Sequence, residues 1–137
     1  MATMNGDGAR KALQITIGAT AFAAGLDKFF NLLTDWEQYL SPVAARRLPM
    51  SKKNFMRVAG VVEMAVGAGM LKGPARASAY VASVWLAAIS ANLISSGKYF
   101  DVAARDVNMA VAAFVLARLC ERDSRRLREP EELSRAA

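Results

Sequence analysis

A chain of 137 residues with a formal net charge of +6, no histidine and one cysteine rules out several functions at once. With Cys120 alone there is no disulfide within the chain and no dithiol redox pair. Without histidine there is no Cys/His metal site, no histidine-ligated haem and no Ser/His or Cys/His catalytic pair, and no metal is expected.

The length fits one domain. Residues 12–26, 58–71, 77–97 and 107–117 contain no Lys or Arg and only one carboxylate, Glu63. The intervening segments hold nearly all the charge. Such block separation marks a multi-pass membrane protein, here an all-α, antiparallel four-helix bundle whose first partner is the lipid bilayer. The positive residues sit at the ends of the apolar blocks, which fits anionic lipid and not nucleic acid. A water-soluble four-helix bundle is the competing fold, because the mean hydropathy is only +0.18.

Residues 1–11 form a polar N-terminal segment. No small-residue cleavage site is suitably placed there, so Lys11 onward reads as a first span and not as a removed signal peptide. The first helix is expected over 12–33. Gln14, Gly18, Ala21, Gly25 and Lys28 follow steps of four and three, forming one small, partly polar stripe for other helices. Within the 34–54 connection, Asp35–Leu40 reads as a short interfacial helix, with Trp36 and Tyr39 anchored at the headgroups and Pro42 and Pro49 as stops.

The second helix is expected over 53–71. Gly60, Glu63 and Gly67 share one face of it, and Gly73-Pro74 ends it. In water these glycines weaken the helix by about 1 kcal/mol each, whereas in lipid they let helices approach closely. The third helix, 75–96, includes twenty-one uncharged residues from Ala77 to Gly97. That is roughly 30 Å of helix, enough for a bilayer core. Trp85, Ala88, Asn92 and Ser95 share its polar-marked face. The fourth helix, 102–119, starts with Arg105, Asp106 and Asn108, and Asp101 and Arg105 are spaced for an i,i+4 pair. Residues 120–137 read as a basic, then mixed-charge cytoplasmic tail, unstructured from Glu129 onward. Cys120 is a cytoplasmic-edge residue, with palmitoylation as the alternative. Met56, Met64, Met70 and Met109 are core fillers.

The arginine-rich tail predicts cytoplasmic N- and C-termini. Antiparallel spans then collect Asp27, Lys28, Arg57, Glu63, Asn92, Arg105, Asp106 and Asn108 in the outer half of the bundle. Lys28, Arg57, Glu63, Asn92, Arg105, Asp106 and Asn108 are the ligand-binding candidates, and Glu63, roughly 10–15 Å along its helix, is the candidate catalytic residue. The alternative is that these charges pair only to hold the helices together.

Gly25-Leu-Asp-Lys28-Phe, the Trp36…Tyr39…Pro42 loop, Glu63…Gly67…Leu71-Lys-Gly73 and Gly97-Lys-Tyr99…Arg105-Asp106 occur in that order. Together these motifs resemble the DoxX-like family of small four-span bacterial membrane proteins, over about residues 12–118. That family includes the membrane subunit of a thiosulfate:quinone oxidoreductase and proteins linked to oxidative-stress complexes. The resemblance implies a bacterial inner-membrane protein and makes Lys28, Glu63, Arg105 and Asp106 the residues to watch. Where other members carry histidine near the end of the first helix, this chain has Asp27-Lys28.

The leading expectation is an accessory or membrane-anchoring subunit with an outward-facing polar pocket for a small or quinone-like ligand or a redox partner protein. Homo-oligomerisation is left open. The chain offers no electron carrier of its own, so a redox step needs a quinone or a partner. The alternatives are an oxidoreductase subunit that reduces quinone with Glu63 as proton relay, and a purely structural or assembly protein.

Overall fold

The computed structural model describes residues 6–136, with side-chain surroundings described through Arg128. It is all-helical, with no strand among the described residues. Four long helices dominate: α1 (Gly6–Asp27), α3 (Lys52–Lys72), α4 (Ala75–Ser95) and α5 (Phe100–Ala136). Between α1 and α3 lie a 3-10 turn (Trp36–Tyr39) and the short α2 (Pro42–Arg47). α1 packs on α3 and α4 on α5, and the two pairs join through α3 with α4 and α1 with α5. Contacts run in opposite sequence directions, Gly18–Gly67 with Gly25–Gly60, Glu63–Trp85 with Gly69–Ser78, and Tyr80–Phe114 with Ser83–Ala110, so successive long helices are antiparallel.

The α1–α3 contact is a glycine seam. Gly18 lies opposite Gly67 and Gly25 opposite Gly60. A Cβ on Gly60 would lie 2.6 Å from the Gly25 carbonyl oxygen, and one on Gly67 would lie 2.6 Å from that of Gly18. Backbone touches backbone here, as the shared faces of Gly18/Gly25 and Gly60/Gly67 led one to expect. Gln14 extends the seam by donating to the Met70 carbonyl at 2.5 Å.

The main core joins all four long helices through Ile17, Met70, Ala79, Ala82, Leu116 and Cys120. Its side chains are mostly small: Ala59, Ala79, Ala82, Ala103, Ala110, Ala113 and Ala117 are all buried. Large apolar side chains point outward on every long helix, among them Phe22, Val61, Val84, Val111 and Phe114. Among the described residues, α3 and α4 are long and apolar enough to cross a membrane.

Several boundaries differ from expectation. α3 and α4 lie within a residue of 53–71 and 75–96, but α1 occupies 6–27 and not 12–33. It stops because the Asp27 carboxylate accepts from the Leu32 and Leu33 amides, at 2.9 and 3.2 Å, while Asn31 turns the chain at φ 51°. The helix that starts at Gly6 takes up part of the polar 1–11 segment, and residues 1–5 lie outside the described residues. The last helix spans 100–136 and not 102–119, so the tail continues the helix instead of being unstructured. Its Arg- and Glu-rich composition favours this, with Glu121 pairing to Arg118 and Arg125 one turn away on either side. Residue 137 lies outside the described residues. Pro42 opens a helix where it was expected to end one: it occupies the first turn of α2, and Ser41 caps that turn by accepting from the Ala44 amide. Cys120 is buried, 8% exposed, against Arg10, which counts against an acylation site.

Candidate functional site

α1 ends two residues beyond Gly25, its contact with Gly60, which places Lys28 beside the middle of α3. Gly60 leaves room for this: a Cβ there would come within 3.2 Å of the Lys28 Cβ and 3.1 Å of the Phe29 ring. Lys28 therefore reaches Glu63, one turn further along α3. Its Nζ donates to Glu63 Oε2 at 2.6 Å, and the two side chains are only 6% and 9% exposed. Glu63 Oε1 accepts from Trp85 Nε1 at 3.1 Å. Both carboxylate oxygens are thus engaged.

The ammonium has a second contact. Lys28 Nζ lies 3.7 Å from the centroid of the Trp36 ring, a cation–π arrangement. Trp36 Nε1 in turn donates to Asp27 Oδ2 at 2.8 Å. The chain of contacts is Trp85–Glu63–Lys28–Trp36–Asp27. It holds two carboxylates and one ammonium, and the surplus negative charge is met by two indole N–H groups and two backbone N–H groups. That donor set is what a buried carboxylate requires.

Segment 28–41 folds back over this pair as a strap. Asn92 clasps it with both ends of its amide: Oδ1 accepts from the Ser41 N–H at 3.0 Å and Nδ2 donates to the Tyr39 carbonyl at 2.8 Å. Tyr39 also packs edge-on against Tyr99, with centroids 4.9 Å apart. The ion pair is therefore covered, and a molecule reaching it from this end must displace the strap.

The other candidates lie apart from this centre. Asp106 is buried and pairs with its neighbour Arg105, which approaches within 2.9 Å and is itself largely exposed. Arg105 thus pairs with Asp106 and not with Asp101. Arg57 and Asn108 are exposed on the surfaces of α3 and α5 and do not join the cluster. Of the seven candidates, Lys28 and Glu63 form the centre, Asn92 fastens its cover, and Arg105, Asp106, Arg57 and Asn108 stand outside.

Three members of the network were not among the candidates: Trp36, Trp85 and Asp27. Trp36 reads from sequence as a headgroup anchor, yet its ring lies beneath the Lys28 ammonium. Trp85 carried a usable signal, since it shares a helix face with Asn92. No protein-family model matches the chain, and neither does any curated protein or any solved structure.

Proposed function

We propose that this chain is a four-span integral membrane protein of the bacterial inner membrane, similar to the DoxX-like proteins, acting as an accessory or membrane-anchoring subunit. The observation that carries this reading is the placement of side chains by size. Alanines and glycines are buried at the helix contacts, while Phe22, Val61, Val84, Val111 and Phe114 face outward on all four long helices. Close packing through small residues suits helices surrounded by hydrocarbon, and so broad an apolar exterior is costly in water. Arg10, Lys11, Lys72, Arg76, Arg118 and Arg122 lie at one end and Arg46, Arg47, Lys52 and Lys53 at the other, so it is the further arginines of α5, Arg125, Arg126 and Arg128, that favour cytoplasmic termini. On this reading the Lys28–Glu63 pair fixes the strap to the bundle, and the activity belongs to a partner chain.

The test is fractionation followed by native co-purification. The chain should stay with alkali-washed membranes until detergent is added, then purify with a second protein in a fixed ratio. Recovery in the soluble fraction without detergent would refute the membrane reading. A chain that purifies alone from native membranes leaves the purely structural alternative.

A second reading, a quinone-like ligand with Glu63 as proton relay, has one observation in its favour. Trp85, which donates to Glu63, also lines an apolar groove of about 350 Å³ with Tyr80, Val81, Val84 and Ala88. A membrane-borne ring in that groove would be one indole away from the carboxylate. Quinone added to the detergent-purified chain should then quench tryptophan fluorescence, and Glu63→Gln should reduce that quenching. Equal quenching in both proteins would remove Glu63 from the reading.

A further inference from the structure

A second groove, between α4 and α5, leads away from the ion pair to the basic end of the bundle. Along α4, Arg76, Tyr80, Ser83, Ala87, Ser90 and Ile94 recur at steps of four and three, so they share one face. On α5, Val107, Val111, Phe114, Arg118, Arg122 and Arg125 do the same. Between these faces lies a cavity of about 450 Å³, walled by Ile94, Val107, Val111 and Phe114 over a floor of small residues. The two serines of the floor are satisfied internally: Ser83 Oγ donates to the Ala110 carbonyl at 2.9 Å, and Ser90 Oγ to that of Leu86 at 2.8 Å. What the groove offers a ligand is therefore hydrocarbon contact.

At one end of the groove Tyr80 and Phe114 meet edge-on with centroids 6.1 Å apart, Phe114 remaining about half exposed. One turn beyond, the character changes. The Tyr80 hydroxyl donates to Glu121, which also accepts from Arg118 at 3.0 Å and lies 3.6 Å from Arg125. The arginine side chains remain 58% and 80% exposed, and Arg76 and Arg122 are exposed as well. Two guanidinium groups thus meet one carboxylate, and Arg76 shares the α4 face one turn before Tyr80. From Ser83 to Ile94 the groove runs roughly 16 Å by helical rise, close to half the thickness of a bilayer core.

We propose that this groove binds one anionic glycerophospholipid, with an acyl chain along Ser83–Ile94 and the phosphate held by Arg76, Arg118 and Arg125. Only a ligand that joins a hydrocarbon chain to a phosphate complements both parts. Arginine suits this role because its planar fork matches phosphate oxygens, and basic pockets between spans are a recognised place for anionic headgroups. The proposal rests on the membrane reading above.

The test uses the full chain, delipidated in a neutral detergent and titrated with dioleoyl phosphatidylglycerol or dioleoyl phosphatidylcholine, with bound lipid counted by native mass spectrometry. Phosphatidylglycerol should bind as one tight equivalent and phosphatidylcholine more weakly. Arg76→Gln with Arg118→Gln should weaken the anionic lipid by roughly twentyfold, about fivefold for each arginine. Ala91→Phe, at an exposed position in the groove, should weaken both lipids. Should the double variant not fold, Arg76→Gln alone carries the test with a fivefold loss. Equal binding of the two lipids, unchanged affinity in the arginine variants, or glycerol phosphate binding as tightly as the lipid would each overturn the proposal. A chain that needs no detergent refutes the membrane reading itself, whereas one that needs detergent but shows no preference refutes only the lipid site.

Discussion

Removing one partner of the Lys28–Glu63 pair should destabilise the protein far more than removing both. The ions meet at 2.6 Å, and an effective dielectric near 20 gives roughly 6 kcal/mol of attraction at that distance. Burying two ions costs several kcal/mol each, so the intact pair contributes little net stability. Lys28→Met strands Glu63 with only the Trp85 indole for company, and should cost about 3–5 kcal/mol. Glu63→Leu strands the ammonium and also leaves the Trp85 N–H without its acceptor, which adds about 1–3 kcal/mol. The double variant Lys28→Met/Glu63→Leu strands no charge and should show only the indole term. The coupling energy is then about 6–10 kcal/mol, one stranded-charge penalty from each single variant. Lys28→Met/Glu63→Gln, which keeps an oxygen for the indole, should be more stable than the double variant with leucine. Reversible unfolding in mixed micelles, followed by tryptophan fluorescence, measures the wild type and all four variants. Additive effects, with coupling below about 1 kcal/mol, would refute the buried pair as the organising contact.

Three more outcomes follow from the same geometry. Gly60→Ala should cost at least about 1–3 kcal/mol, because the new methyl meets a carbonyl oxygen at 2.6 Å and α1 must move away; a thermal unfolding midpoint unchanged from wild type would contradict the seam. Asn92→Ala loses both bonds to the strap while leaving the helices intact, so limited proteolysis within 34–41 should speed up while helicity holds. Arg57→Ala and Asn108→Ala, both at exposed positions away from the centre, should each change stability by less than about 0.5 kcal/mol in the same unfolding assay.

The parts of the fold that were legible share a cause: their signal is local. The helix expected over 75–96, around the uncharged run between Arg76 and Lys98, agrees with α4 within a residue. The small stripe of α1 and the glycines of α3 mark the faces that meet. What was not legible depends on contacts made later in the chain. The apolar run Phe29-Phe30…Leu32-Leu33 reads as more helix, but the Leu32 and Leu33 amides cap Asp27 and end α1 early, with Trp36 folded back onto the same carboxylate. An aromatic residue near a span end has the same sequence signature whether it lies at the headgroups or beneath an ammonium, so Trp36 was read as an anchor. Arg57 and Asn108 were grouped with the cluster by depth along the bundle. Depth does not determine which way a residue points around the helix, and both point outward.

Lys28 and Glu63 are placed by the glycines more than by their own attraction. Lys28 lies after the last turn of α1 and Glu63 at the centre of α3, so the pair forms only if the two helices touch along their backbones. Gly25 and Gly60 permit that contact, and Gly60 also leaves the space through which the Lys28 stem passes. With α1 ending at this level, the strap can fold down and place Trp36 against the ammonium. The helix that looks poorest by intrinsic propensity is thus the one on which the rest of the site depends. The order of causes can be separated by experiment. If the glycines act first, Gly60→Ala should abolish most of the coupling between Lys28 and Glu63 in the double-variant cycle. If the ion pair instead draws the helices together, the coupling should survive Gly60→Ala, and only the total stability should fall.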